Sequence, residues 1–167
     1  MKHEAKSQLK KIIGDYDEKL AEAERIESER RAAHAAFPER FVALRKDVIS
    51  PALQEIADML SERGHEATLR EQEESSSTAG GVRSAAISLR IVPKPFAKKA
   101  AETNAVTIEV NFSANRAARK VTVSSTNTMI GNGGTVGKRG EYEIDALTSD
   151  VIATHVIQTL VEAFGSK

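Results

Sequence analysis

The sequence predicts an α+β protein: a bent, coiled-coil-like helical arm, an antiparallel sheet of four or five strands, and a C-terminal helix packed on the sheet. Three observations predict it. Residues 3–36 contain no Pro and one Gly and are rich in Ala, Glu, Lys and Arg, which favour helix. Between residues 66 and 145 apolar side chains recur at every second position in several short runs, the period of a half-buried strand. From Thr148 to Gly165 a helical period returns between start and stop signals.

In the arm, Leu9, Ile13, Tyr16, Leu20 and Ala23 fall at alternating spacings of four and three. The spacing then passes through Glu27, Arg30 and His34 and becomes apolar again at Phe37, Phe41, Leu44 and Val48. This is a heptad stripe with a polar interruption. Ile26 and Ala33 lie one place off that register, so the seam shifts there. A helix of about 33 residues is roughly 50 Å long, more than a small domain can cover. The stripe from Leu9 to Ala23 is therefore expected to join two copies as a homodimer.

A boundary is expected after residue 37, with the arm at 1–37 and an α+β head at 38–167. Pro38 disfavours helical geometry at Phe37 and suits the first position of a second helix. That helix would carry Val42, Ile49, Leu53, Ile56 and Leu60 on one side. Pro51 kinks or restarts it, with Ser50 as a cap, and Gly64 ends it.

In the head, 66–72 reads as a short strand and 73–81 as a polar flexible loop. Along 83–92, Ala85, Ile87, Leu89 and Ile91 alternate with Ser84, Ser88 and Arg90. Pro93 and Pro95 then begin a connection that runs to Asn104. Along 105–112, Val106, Ile108, Val110 and Phe112 point inward. Residues 113–118 turn the chain, and Val121 and Val123 point inward on the strand that follows. The stretch GNGGTVGKRG, 131–140, reads as a turn or flexible loop, and 141–145 as a strand with Tyr142 and Ile144 inward. One-sided alternation marks an antiparallel sheet with one solvated face. The last helix has Thr148 or Ser149 as cap, Asp150 in its first turn and Leu147 and Ile152 at the positions of a hydrophobic staple. Its apolar arc, from Val151 to Phe164, is wide enough for the sheet and the second helix together.

Composition narrows the function. The 167 residues include no Cys and no Trp. Disulfide scaffolds, thiol catalysis, iron–sulfur clusters and Cys-based zinc sites are thereby excluded. The N-terminus has no apolar run of the secretory kind, and no run approaches the roughly 18 residues that span a bilayer. The expectation is a cytoplasmic protein without membrane contact.

The net charge of zero conceals an asymmetry. Residues 1–75 carry 13 Lys+Arg against 17 Asp+Glu, and residues 76–167 carry 11 against 7. Arg83 to Arg139 holds ten basic residues against Glu102 and Glu109. Such a span either contacts an anionic partner or balances the acidic half. The candidate anion contacts are Arg116, Arg119, Lys120, Lys138 and Arg139, with Lys94, Lys98 and Lys99 at a second cluster. Nucleic-acid binding lacks stacking platforms, since only Phe96 and Phe112 are aromatic in this span and Phe112 belongs to the core pattern.

No catalytic, cofactor or metal site is expected. Gly137-Lys138 resembles the end of a phosphate-binding loop, but Asn132 and Arg139 stand where that loop needs Gly and a hydroxyl residue, and a strand follows instead of a helix. His3, His34, His65 and His155 form no pair at helical spacing. His155 is expected on the polar side of the last helix, and His34 in the break of the heptad seam. Glu141, Glu143 and Asp145 line one strand face and suit cross-strand pairing with Lys120 or Arg90. Ser75, Ser76 and Ser77 lie in a loop without a nucleophile elbow. The leading expectation is a non-enzymatic interaction or scaffold protein, its arm joining subunits and its head holding a protein partner. The alternatives are an accessory factor binding nucleic acid or another polyanion, and a small-molecule binder or enzyme with a pocket between sheet and last helix.

Overall fold

The computed structural model describes residues 3–94, 96, 106–128 and 135–165. It has the α+β architecture, with a long N-terminal helix, a five-stranded antiparallel sheet and a C-terminal helix. The chain divides into two compact units, Met1–Phe37 and Pro38–Lys167. Lys98, Lys99 and the start of the 131–140 stretch lie outside the described residues.

Helix α1 spans His3–Leu44. Pro38 stands inside it, so the expected restart at Pro38 does not occur. The ring fixes φ near −65°, which is helical, so the helix continues although the proline lacks an N–H and crowds the carbonyl four residues earlier. Within the first unit the side chains from His3 to Ala36 are exposed, Glu27 alone being half-buried.

In the second unit, the end of α1 passes into a π-helical turn, Arg45–Ile49, and then into α2, Ser50–Glu62. The amide of Ser50 donates to the carbonyl of Arg45, five residues back. Pro51 has no N–H to offer, and its ring crowds the carbonyl four residues earlier. The wider turn accommodates both defects. It also resets the inward positions. Phe41, Leu44, Arg45, Ile49, Leu53 and Ala57 are buried, whereas Val42 is exposed, against expectation. Gly64, at φ 86°, closes α2 in the left-handed region that favours glycine.

The strands are β1 Glu66–Gln72, β2 Ser75–Ser76, β3 Val82–Arg83, β4 Ala86–Val92, β5 Ile108–Asn115, β6 Lys120–Asn127 and β7 Thr135–Tyr142. The large sheet has the order β1-β4-β5-β6-β7, and every pair in it is antiparallel. Strands β2 and β3 form a small ladder within the expected 73–81 loop and its border. Residues 135–140 are strand, not loop, because β7 pairs along β6 from Thr135 to Tyr142. The expected strand at 141–145 ends at Tyr142, and Ile144–Ala146 forms a 3-10 turn with Ile144 buried.

The inner face carries Ile87, Leu89 and Ile91 on β4, Ile108, Val110 and Phe112 on β5, and Val121 and Val123 on β6, all without exposure. Helix α3, Ser149–Phe164, packs on β5 and β6 and turns Ile152, Val156 and Ala163 inward, while α2 packs on β1 and β4. Thr148 caps α3 by accepting from the Val151 amide at 3.4 Å, and Leu147 and Ile152 are both buried at the staple positions. Among the described residues no helix is long and apolar enough to cross a membrane.

Candidate interaction surfaces

In the first unit, Leu9, Ile12, Ile13, Tyr16 and Leu20 are between 47% and 64% exposed. Ala23 is exposed on the same stretch. The heptad residues Leu9, Ile13, Tyr16, Leu20 and Ala23 therefore lie on one solvent-facing stripe. Ile12, outside that seam, adds a second apolar column which heptad counting missed. Beyond them the helix is laced by ion pairs: Arg25 binds Glu22 at 2.6 Å and Glu29 at 2.8 Å, and Glu27 binds Arg30 at 2.9 Å and Arg31 at 3.0 Å. Arg30 and Arg31 pull the Glu27 carboxyl down to about 2. The polar interruption of the heptad is thus an intrahelical charge ladder.

The second unit has an apolar groove of about 520 Å³ between α2 and α3. Ile56, Met59 and Leu60 form one wall, and Ala153, Ile157 and Leu160 the other. Met59 is 63% and Ile157 58% exposed. None of the groove-lining residues belongs to the sheet, so it is not the sheet–helix pocket of the small-molecule alternative.

A polar cluster joins β7 to α3. The Tyr142 hydroxyl lies 2.6 Å from His155 Nε2. His155 is buried on the sheet-facing side of α3, not on its polar side. Its Nδ1 has no hydrogen-bond partner among the described residues. Arg139 donates to Ser125 Oγ at 2.6 Å and to Glu162 at 2.7 Å. A register shift between Val123 and Ser124 leaves Arg139 as the extra residue of β7, re-aiming it toward α3. A Cβ on Gly140 would meet the Tyr142 ring at 2.9 Å and displace it, so glycine here lets the ring reach His155.

Burial, reinforced by the Arg139 cation, pushes the His155 imidazole below its ordinary value of 6.5. Above that pH the ring is neutral in both folded and unfolded chains. As pH falls through 6.5 the unfolded chain takes up a proton that the folded ring resists, so stability is lost on the acid side. Urea titrations at pH 7.5 and 5.5 are expected to show a lower midpoint at the acid pH, and His155→Gln is expected to shrink that difference. An equal difference in the variant would assign the pH effect to other groups.

The five sequence-predicted anion contacts fall on two elements, three at the β5–β6 turn and two on β7, and Lys120 and Lys138 both act on Glu141. Arg116, Arg119 and Lys120 sit at the β5–β6 turn, where Arg119 has φ 55°. Arg116 binds Glu74 at 2.9 Å, Lys120 approaches Glu143 at 3.7 Å and Lys138 binds Glu141 at 2.9 Å. Arg139 is held by Glu162. Arg119 pairs with no carboxylate among the described residues. Four of the five cations thus have a carboxylate of the second unit beside them.

His65 accepts from the Lys94 amide through Nδ1 at 3.1 Å and stacks on Phe164, ring centroids 5.6 Å apart. No protein-family model matches this chain, and no curated protein and no solved structure matches it either.

Proposed function

We propose that this is a non-enzymatic interaction protein whose copies are joined by the N-terminal helix, while the second unit holds a partner. The supporting observation is the row Leu9, Ile13, Tyr16 and Leu20, large apolar side chains left about half exposed on an otherwise charged helix. Helices of globular proteins draw most of their stability from packing an apolar face, and this face has nothing packed on it within its own unit. Association would remove it from water at roughly 25 cal/mol per Å².

Light scattering at micromolar concentration is expected to give twice the chain mass of 18.1 kDa. Leu20→Asp should weaken association at least tenfold, since a Leu side chain contributes about 1.5–3 kcal/mol on burial and 1.4 kcal/mol is a factor of ten. A monomer in the unaltered protein would sink the reading.

A further inference from the structure

Two exposed apolar surfaces of this chain remain, one on each unit. The groove of the second unit is bounded by α2 and α3. Of the carboxylates on these helices, Glu55 and Asp150 line the groove, while Glu162 is held by Arg139. Arg63 is the single cation among the groove-lining residues. The groove therefore favours a helix that is apolar on one face and basic beside it.

The beginning of the chain has that character. Residues 1–16 contain Lys2, Lys6, Lys10 and Lys11 against Glu4 and Asp15. Leu9, Ile12, Ile13 and Tyr16 stand at i, i+3, i+4 and i+7, and all four are exposed. That spacing is the anchor pattern with which an amphipathic helix enters an apolar groove. Ile12 is essential to it and is absent from the heptad seam.

We infer that the α2–α3 groove receives the Leu9–Tyr16 stretch of a second copy, with Lys6 and Lys10 beside Glu55 and Asp150. The inference rests on the self-association proposed above and names the surface on which the helix lands. Ile12 and Ile13 supply the central anchors, and Met59 and Ile157 are the groove side chains that lose most exposure on docking. Screening at high salt weakens the charge component and leaves the apolar one.

The natural chain has no Cys, so introduced thiols report without background. Ile12→Cys and Met59→Cys full-length proteins are prepared separately, mixed in equal amounts and oxidised mildly. Both positions are exposed, so neither substitution threatens folding. The expected product is the mixed disulfide between the two variants, in at least fivefold excess over either self-product. Its yield should fall when salt rises from 50 to 500 mM, and Ile157→Glu in the Met59→Cys chain should abolish it. Predominant linkage between two Ile12→Cys chains would mean that the helices pair with one another, which overturns the groove and leaves self-association standing. Predominant linkage between two Met59→Cys chains would mean that the groove faces meet each other, which also overturns it. No disulfide together with a monomeric mass would overturn both readings.

Discussion

Phe112→Ala is expected to lower the free energy of unfolding by about 3–5 kcal/mol, the range for removing a buried aromatic ring. Phe112 lies on β5, the central strand of the five, and has no solvent exposure. Its neighbours in register are Ile87 on β4 and Val123 on β6, both equally buried. Collapse of the space is opposed on both sides by side chains fixed to hydrogen-bonded strands, and α3 packs over β5. Chemical denaturation followed by circular dichroism checks the value. Val136→Ala on the exposed edge strand is the control, since Val136 is 79% exposed and should change stability by less than about 0.5 kcal/mol. A loss below about 1 kcal/mol at Phe112 would mean that the layer between sheet and helix is loosely packed.

A second large effect is expected at the π-helical turn. Arg45 is buried, with its guanidinium 2.5 Å from Glu73, 3.2 Å from the Gln72 carbonyl and 3.9 Å from Glu71. Glu73 and Glu71 themselves reach solvent. The two halves of this pair are therefore unequal. Glu73→Ala leaves a buried cation with one carbonyl and a distant carboxylate, at a cost of about 2–3 kcal/mol. Arg45→Met keeps the buried stem and removes the charge, and the carboxylates left behind rehydrate. Its cost should be below about 1 kcal/mol. The double variant should resemble Arg45→Met alone. A greater loss from Arg45→Met than from Glu73→Ala would show that the guanidinium is a net source of stability.

The parts of the fold that were legible in the sequence are those whose burial is one-sided and periodic. Val106 to Phe112 alternates because β5 has one face on the core and the other toward water. The capping of α3 was legible because its signals are local: Thr148, Asp150 and the Leu147–Ile152 spacing need no distant partner. Strand β7 was missed for the opposite reason. It is an edge strand of TVGKRGEY, it carries no apolar alternation, and its pairing with β6 fixes it. Pro38 misled because a proline weakens a helix without ending it. The π turn leaves no mark in a pattern count except the mismatch it creates, visible as an exposed Val42 and a buried Arg45. Among candidate surfaces, the heptad residues were legible as spacing. The groove was not, since its walls come from helices separated by the whole sheet in sequence. The burial of His155 depends on Tyr142, thirteen residues away on another element, and on the bulge that turns Arg139 inward.

The meander order of the sheet has a consequence for how quickly the head assembles. Strands β5 and β6 are joined by the four residues 116–119, so their ladder closes with little loss of chain entropy. Hairpins of this kind form within about 1–10 μs. Strands β4 and β5 are also sequence neighbours, but fifteen residues intervene, numbered 93–107, and closure across them costs more. Among the described residues no ladder in the sheet joins the two ends of the chain, and every pair in the sheet is antiparallel. On loop-closure cost alone, the β5–β6 hairpin is the cheapest ladder of the three from which β4 and β7 could add on either side. With that hairpin as seed, substitutions at its turn, where Arg119 has a left-handed backbone, are expected to change the folding rate more than the unfolding rate.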